Sequence, residues 1–262
     1  MNNFIWDIHV TNHILDWSWI WYLCGIFYIP IVFGIQSIRQ IVPSSIKDHP
    51  KLIQLIRMHW ALWNTSLAVF SLFGSYYTFT GVKSLFYTDE CEWTDKNIEW
   101  LNNNSGKWLF YFIVSKLVEL GDTIFLTILG KPVPFLHWYH HILTAFMCFW
   151  GLIYVKPYQI VGSFINYFIH SIMYSYYACS AIGFYWKKSY AQCITTLQTS
   201  QMIFMCCYYI HIWSKGESCK TPISFPIAMM YSLYLILFMN YYMGRYLFSS
   251  KIRLKDINLK KE

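Results

Sequence analysis

Apolar residues gather along this chain in seven stretches, at about 18–38, 54–80, 108–129, 135–155, 159–183, 190–213 and 225–248. A helix rises about 1.5 Å per residue, so about 20 apolar residues cross the hydrocarbon of a bilayer. Every stretch is interrupted by Ser, Thr, Asn, Gln, His or Tyr. Such interruptions suit helices that face one another, not isolated anchors ringed by lipid. Strands of a membrane barrel would be about 10 residues long and strictly alternating, and these stretches are longer and more uniformly apolar. The pattern predicts an all-α membrane protein of seven transmembrane helices, forming one polytopic domain over 1–262. Prolines such as Pro43, Pro50, Pro132, Pro134 and Pro157 punctuate the loops, and Pro30 is expected to kink the first helix. The loops are short except 39–53 and 81–107. No internal repeat or low-complexity linker divides the chain.

Composition narrows the class. The 262 residues are 56% hydrophobic and 21% aromatic, with 13% charged. Soluble domains carry about 25% charged residues, so half the usual supply for a wet surface is missing. Disorder, a coiled coil and a secreted disulfide miniprotein are excluded. A net charge of +7 in such a chain points to cytoplasmic loops more than to nucleic acid. Residues 1–17 hold Asp7 and Asp16 and no Lys or Arg, the opposite of a secretory leader. With seven spans the termini lie on opposite faces. If the C-terminus is cytoplasmic, 13 of the 20 Lys and Arg residues, from Arg39 to Lys261, fall on that side. Six fall on the other, and Lys116 lies within a span. Positive charge favours this orientation. Of the eight cysteines, Cys91 and Cys219 lie in two loops on the non-cytoplasmic side, where disulfides form. A Cys91–Cys219 bridge is expected, the other reading being two free thiols. The Asn103-Asn104-Ser105 sequon shares that side but sits close to the next span.

Ionisable groups inside a membrane are costly and point to function. In the third stretch Lys116, Glu119 and Asp122 fall at i, i+3 and i+6, on one helix face, with Thr123 beside them. In the fourth, His137, His140 and His141 fall at i, i+3 and i+4. In the fifth, Asn166, His170, Met173, Tyr174 and Tyr177 share a face. Gln198 and Gln201 follow in the sixth, and Tyr234, Asn240 and Tyr241 line an expected inner face of the seventh. Counted from the span ends, these groups converge on one layer slightly cytoplasmic of the midplane. A shared polar chamber opening to the cytoplasm is the economical explanation. Plain readings stand beside it. Gln198 and Gln201 also suit interhelical hydrogen bonding, His170 a packing role, and Lys116 with Glu119 mutual neutralisation.

His-x-x-His-His serves two chemistries. Membrane diiron desaturases and hydroxylases use it, but two irons need many imidazoles. The other histidines here (His9, His13, His49, His59 and His211) are scattered. Acyl transfer is the other use, since a neutral imidazole works as base or nucleophile near neutral pH. A carboxylate such as Asp122 would then orient the ring. No Gly-x-Ser-x-Gly elbow and no phosphate-binding glycine loop is present. Cys148, on the His141 face, is a lesser nucleophile candidate. A non-enzymatic seven-helix receptor or transporter would explain the topology but not the histidines.

Five motifs together resemble the membrane fatty-acid elongase (ELO) family. They are Lys116-x-x-Glu119-x-x-Asp122-Thr123, His137-Trp138-Tyr139-His140-His141, Asn166-x-x-x-His170-x-x-Met173-Tyr174-x-Tyr176-Tyr177, Thr195-x-x-Gln198-x-x-Gln201 and Tyr234-x-x-Leu237-Phe238-x-x-Tyr241-Tyr242. Trp63-Asn64-x-x-Leu67-Ala68 upstream is similar as well. The resemblance implies an endoplasmic-reticulum enzyme with six helices enclosing a narrow acyl tunnel. It would condense long-chain acyl-CoA with malonyl-CoA to a 3-oxoacyl-CoA, releasing CO₂ and CoA, without metal or redox cofactor. Implied partners are membrane lipid, a second copy of the chain, and the reductases and dehydratase of the elongation cycle. The Leu136–His141 and Met173–Tyr177 segments look most like the branch acting on saturated and monounsaturated chains. In this reading His140 carries the acyl group as an acyl-imidazole, and His137 and His141 act as base or orienter. Asp122 holds an imidazole, and His170, Asn166 and Tyr174 stabilise the enolate. The competing mechanism has both substrates bound together and the histidines acting only as acid and base. Lys116, Glu119, Gln198, Gln201 and Tyr177 would contact substrate. Lys131, Lys187, Lys188, Arg245 and Lys251 would meet the anionic CoA at the cytoplasmic mouth, or serve only as topology charge. The basic tail Lys255–Glu262 lacks a clean dilysine signal, so residence in the endoplasmic reticulum rests on the resemblance.

Overall fold

Helix accounts for every apolar stretch in the computed structural model, which is described for Asp16 and for residues 18–38, 49–92 and 94–248. The α-helices are α1 (Ser18–Ile38), α2 (Pro50–Leu85), α3 (Asp95–Leu101), α4 (Asn104–Val118), α5 (Gly121–Ile128), α6 (Phe135–Ile153), α7 (Gln159–Ala181), α8 (Lys188–Ser214) and α9 (Ser224–Tyr242). There is no strand among the described residues. His9, His13, Arg39, Lys47, Lys251 and the basic tail lie outside them.

Local sequence explains the ends. Pro50 opens α2 at a position where its missing N–H costs nothing. The Asn103 side chain accepts the Ser105 amide at 2.9 Å and caps α4, so the sequon asparagine is engaged as a helix cap. Gly130, at φ +66°, ends α5 with the Lys131 amide donating back to the Leu126 carbonyl at 2.8 Å. Pro132 and Pro134 then prevent continuation into α6.

Four expectations need correction. The stretch 108–129 is not one helix but two, α4 and α5, broken at Glu119–Leu120, where the Asp122 and Thr123 amides make three-residue turns to Glu119 and Leu120. The loop 81–107 is shorter than expected, because α2 runs on to Leu85 and α3 folds within the remainder. The last stretch is α-helical only to Tyr242 and finishes as a π-turn over Met243–Phe248. Within α9 Tyr234 is buried, whereas Asn240 and Tyr241 are exposed and do not line an inner face. Helix α1 passes through Pro30 without a break in its assignment.

Contacts between helices run in a circuit: α2 on α7, α7 on α8, α8 on α9, α9 on α6, α6 on α4 and α4 back on α2. Helix α1 packs outside it, on α5 and α6. The distribution of side chains is inverted relative to a water-soluble fold. Leu62, Leu72, Ile210 and Ile236 are more than 60% exposed, while Lys116, Glu119, Asp122 and His170 are buried. By length and apolarity alone, one described segment, Ser224–Leu247, suffices to cross a membrane; Ser18–Gly34 is apolar but shorter. The other long helices carry the inward polar groups that lower their apolarity.

At one end of the circuit Cys91 and Cys219 form a disulfide, with Cα atoms 4.6 Å apart. Fully buried Asn97 braces the Cys91 loop by donating to the Asp89 and Glu92 carbonyls at 2.7 and 2.8 Å. Glu90 forms an ion pair with Lys215 and lies 3.5 Å from His211.

Candidate active site

The break between α4 and α5 creates the polar centre. Lys116, on the last turn of α4, is 2% exposed; its ammonium donates to Glu119 Oε1 and to Asn166 Oδ1, each at 2.8 Å. It also lies 4.3 Å from the centre of the Phe112 ring. Ser115 Oγ donates to Glu119 at 3.2 Å. His170 Nδ1 stands 3.7 Å from Glu119 Oε1, and its Nε2 lies 3.3 Å from Asn166 Nδ2.

The donors fix the polarity of this ring. An ammonium only donates, so the Asn166 oxygen faces Lys116 and its amide group faces His170. His170 Nε2 must then accept, which leaves the Nδ1 proton pointing at Glu119. Two routes therefore lead from Lys116 to Glu119, one direct and one through Asn166 and His170, and together they ring a buried ion pair. Breaking such a pair on one side costs about 3–5 kcal/mol, because the remaining charge is stranded.

Asp122 is used differently from the sequence expectation. Its Oδ1 accepts from the Trp63 indole and its Oδ2 from the Tyr174 hydroxyl, both at 2.7 Å. Neither bond goes to an imidazole. Asp122 ties α5 to α2 and α7, and Tyr174 is thereby committed to Asp122. Gly121 makes the Trp63 approach possible, since a Cβ there would sit 2.8 Å from the indole. The imidazoles are held otherwise. His137 Nε2 is 3.1 Å from Thr123 Oγ1, which is 2.6 Å from the Tyr28 hydroxyl of α1. His137 and His141 have ring centres 4.4 Å apart, and His140 and His141 5.5 Å. The Tyr234 hydroxyl donates to the His140 carbonyl at 3.1 Å and meets Thr144 Oγ1 at 2.9 Å; its ring centre lies 4.8 Å from that of His140.

His140 and Asn166 line one cavity, with about 80 Å³ of open space. Gln201 joins them at this polar end, and Met147, Cys148, Met202, Met205 and Met230 line the apolar remainder. Met side chains adapt to irregular contents. The two glutamines part company: Gln201 faces the cavity, whereas Gln198 Nε2 lies 3.1 Å from Met173 Sδ. Tyr177 is 37% exposed, its ring beside Tyr176, and is not among the lining residues.

The basic residues of the expected mouth fall into two groups. Lys188 and Arg245 flank the same Tyr246 ring, at 5.7 and 6.0 Å. Lys131 lies over the Trp60 ring at 4.1 Å; partial burial, then nearby Arg57, lowers its ammonium below the usual lysine range. Lys187 directly precedes α8, makes no capping bond with its side chain and is exposed. No cluster of three His, Cys, Asp or Glu residues suited to a metal occurs among the described residues.

Residues that spacing did not single out are Tyr28, Ser115 and Thr144. Their signal is weak, since hydroxyls in apolar helices usually bond within their own helix. Trp63 carried a motif signal but no indicated partner.

Comparison with known proteins bears on this geometry. The GNS1/SUR4 (ELO) family model matches residues 13–253. A Drosophila melanogaster protein named very long chain fatty acid elongase 6 is 36% identical over 257 residues, covering 88% of this chain and 73% of the relative. A human protein of the same name is 33% identical over 201 residues, covering 73% and 74%. Fatty acid elongase 1 of Trypanosoma cruzi is 39% identical over 197 residues, covering 70% and 67%. With the family model spanning nearly its whole length, and the buried Lys–Glu–Asn–His ring built from the very motifs that carried the resemblance, the chain belongs to the GNS1/SUR4 (ELO) family.

Proposed function

We propose that this chain is the condensing enzyme of fatty-acid elongation, a 3-oxoacyl-CoA synthase. It joins a long-chain acyl-CoA to malonyl-CoA and releases CO₂ and CoA, giving a product two carbons longer. The family and the elongase names of the relatives support this activity. The resemblance of the Leu136–His141 and Met173–Tyr177 segments supports primers of the saturated and monounsaturated branch. The observation that carries the site assignment is that Asn166 belongs both to the buried ion-pair ring and to the apolar cavity that His140 lines.

In the mechanism we favour, a lone-pair nitrogen of His140 attacks the thioester carbonyl. The C–S bond breaks, CoA leaves as thiolate and takes up a proton, and the acyl group stays on imidazole. Malonyl-CoA then loses CO₂, and the electron pair of the broken C–C bond becomes an enolate. The Asn166 amide has a second N–H beyond the one given to His170, and Lys116 on its oxygen strengthens it as a donor to that oxyanion. The enolate carbon attacks the acyl carbonyl and frees the imidazole. His137 and His141 manage the protons. Gln201 holds the polar end of the substrate, and Lys131, Lys187, Lys188 and Arg245 receive the CoA phosphates.

The inverted exposure pattern supports a membrane protein of one domain, with seven spans, α4 and α5 together making one. The helix circuit supports six of these enclosing the acyl tunnel. The disulfide supports an oxidising lumen on its side, hence the endoplasmic reticulum, with the N-terminus lumenal and the C-terminus cytoplasmic. A homodimer and docking of the reductases and dehydratase complete the reading. The test is malonyl-CoA incorporation by the purified chain. His140→Ala should lower it at least about a thousandfold; wild-type turnover by that variant would refute the assignment.

A further inference from the structure

We infer that Tyr158, held in place through the Cys91–Cys219 loop pair, ends the acyl cavity and fixes the longest primer the enzyme accepts. This rests on the elongase reading and goes on to name the residue that sets specificity.

Five helices line the cavity, α4 through Leu109, Phe112 and Ile113, and the other four run along it in the same order. On α6 the lining residues are His140, Thr144, Met147, Cys148 and Gly151, one face of the helix, spanning about 16 Å from first to last. On α7 they run back from Asn166 to Gln159, with Tyr158 just before the helix. Helix α8 contributes from Gln201 to Tyr209, and α9 from Tyr234 back to Ile227. His140, Thr144, Asn166, Gln201 and Tyr234 lie at one end; Gly151, Tyr158, Gln159, Tyr209 and Ile227 lie at the other. A thioester carbonyl at His140 sends its methyl end toward Tyr158.

Tyr158 differs from the other lining residues in how it is anchored. It is 1% exposed, and its amide donates to the Glu90 carbonyl at 3.0 Å. Lys156 Nζ donates to the Cys91 carbonyl at 3.0 Å. Cys91 is bonded to fully buried Cys219, which packs in one cluster with Tyr158, Tyr209 and Ile227. The Tyr209 ring meets that of Tyr158 edge-on at 6.0 Å. Met205 and Met230 can swing aside; Tyr158 is pinned by its backbone and by both neighbouring loops. The methionines thus adjust the cavity's width and Tyr158 sets its length. Gly162 provides a control within the cavity, since a Cβ there would lie 3.1 Å from Met205 Cε and 3.4 Å from the Tyr231 hydroxyl.

The experiment gives the full-length enzyme labelled malonyl-CoA and a ladder of saturated acyl-CoA primers rising by two carbons. Tyr158→Ala should raise the longest primer elongated by about two to four carbons, the room left by the ring. Short primers should turn over within about threefold of wild type. Tyr158→Leu, which keeps more bulk for folding, should give a smaller rise, and Tyr158→Phe none. Gly162→Ala should lower the limit. The Cys91→Ser/Cys219→Ser pair should move it upward, as Tyr158→Ala does. An unmoved limit in Tyr158→Ala or Tyr158→Leu, with short-primer turnover intact, overturns the inference. Failure of the wild-type enzyme to incorporate malonyl carbon with any primer overturns the elongase reading instead, and the two results cannot be confused.

Discussion

Glu119 and Asp122 stand three residues apart, at 4% and 9% exposure, yet their surroundings have little in common. Glu119 faces an ammonium and an imidazole. Asp122 faces an indole and a phenol, which only fasten it. The helix break between them is the cause. Had α4 continued through 119–121, the i, i+3 spacing would have stacked both carboxylates on one face. Broken there, the chain turns Glu119 toward Lys116 and His170 and Asp122 toward Trp63 and Tyr174. One carboxylate closes a buried ion pair; the other fastens three helices.

The largest expected effect comes from disturbing the first of the pair. Glu119→Gln strands the Lys116 ammonium and should lower stability by about 3–5 kcal/mol, measured by thermal unfolding in detergent. Activity should fall about a hundredfold. Adding Lys116→Met should recover stability, because no lone buried charge is left, but not turnover. Recovery of both would make the ion pair a packing element and erase the contrast with Asp122.

Asp122→Asn is milder. An amide offers one acceptor oxygen where the carboxylate offers two, so one of the Trp63 and Tyr174 bonds is lost, at about 1–3 kcal/mol. Turnover should follow stability. The indole can only donate, so the amide oxygen stays on Trp63 and the Tyr174 bond is the one replaced; a double-mutant cycle with Tyr174→Phe should show strong coupling. Additive effects would mean that Asp122 acts elsewhere.

Spacing alone exposed much of this arrangement and stopped short of the rest for identifiable reasons. The helices were legible because apolar runs about 20 residues long admit few other structures. The gathering of His140, His170, Asn166 and Lys116 was legible because charge in such runs must face inward. The partner of each group was not. Asp122 was assigned to an imidazole because carboxylate–histidine pairs are common, and the one mark of the break in 116–123, Gly121, is a residue that helices also tolerate. Gln198 and Gln201 share a spacing that hides their divergence, since a three-residue step turns a helix by 300°, so one side chain meets Met173 and the other the cavity. Tyr28 could not be found by motif at all, because its partner Thr123 lies 95 residues away.

A smaller effect tests that remote contact. Tyr28→Phe removes the hydroxyl beside Thr123 and should lower kcat about two- to fivefold through looser placement of His137, with KM for acyl-CoA unchanged. A change in KM alone would place Tyr28 with substrate binding. The smallest effects belong to the mouth. Lys188→Ala and Arg245→Ala should each raise KM for acyl-CoA about two- to fivefold at low salt and less at high salt, as exposed charges are screened. Insensitivity to salt would leave them as topology charge.

The central claim is that His140 bonds covalently to the acyl group beside the Glu119 ring. Incubating the enzyme with acyl-CoA alone, then mapping peptides by mass spectrometry, tests it directly. The account predicts an acyl mass on His140 that disappears when malonyl-CoA is added and never forms in His140→Ala. An unmodified His140 throughout, with initial rates that require both substrates bound at once, would contradict it.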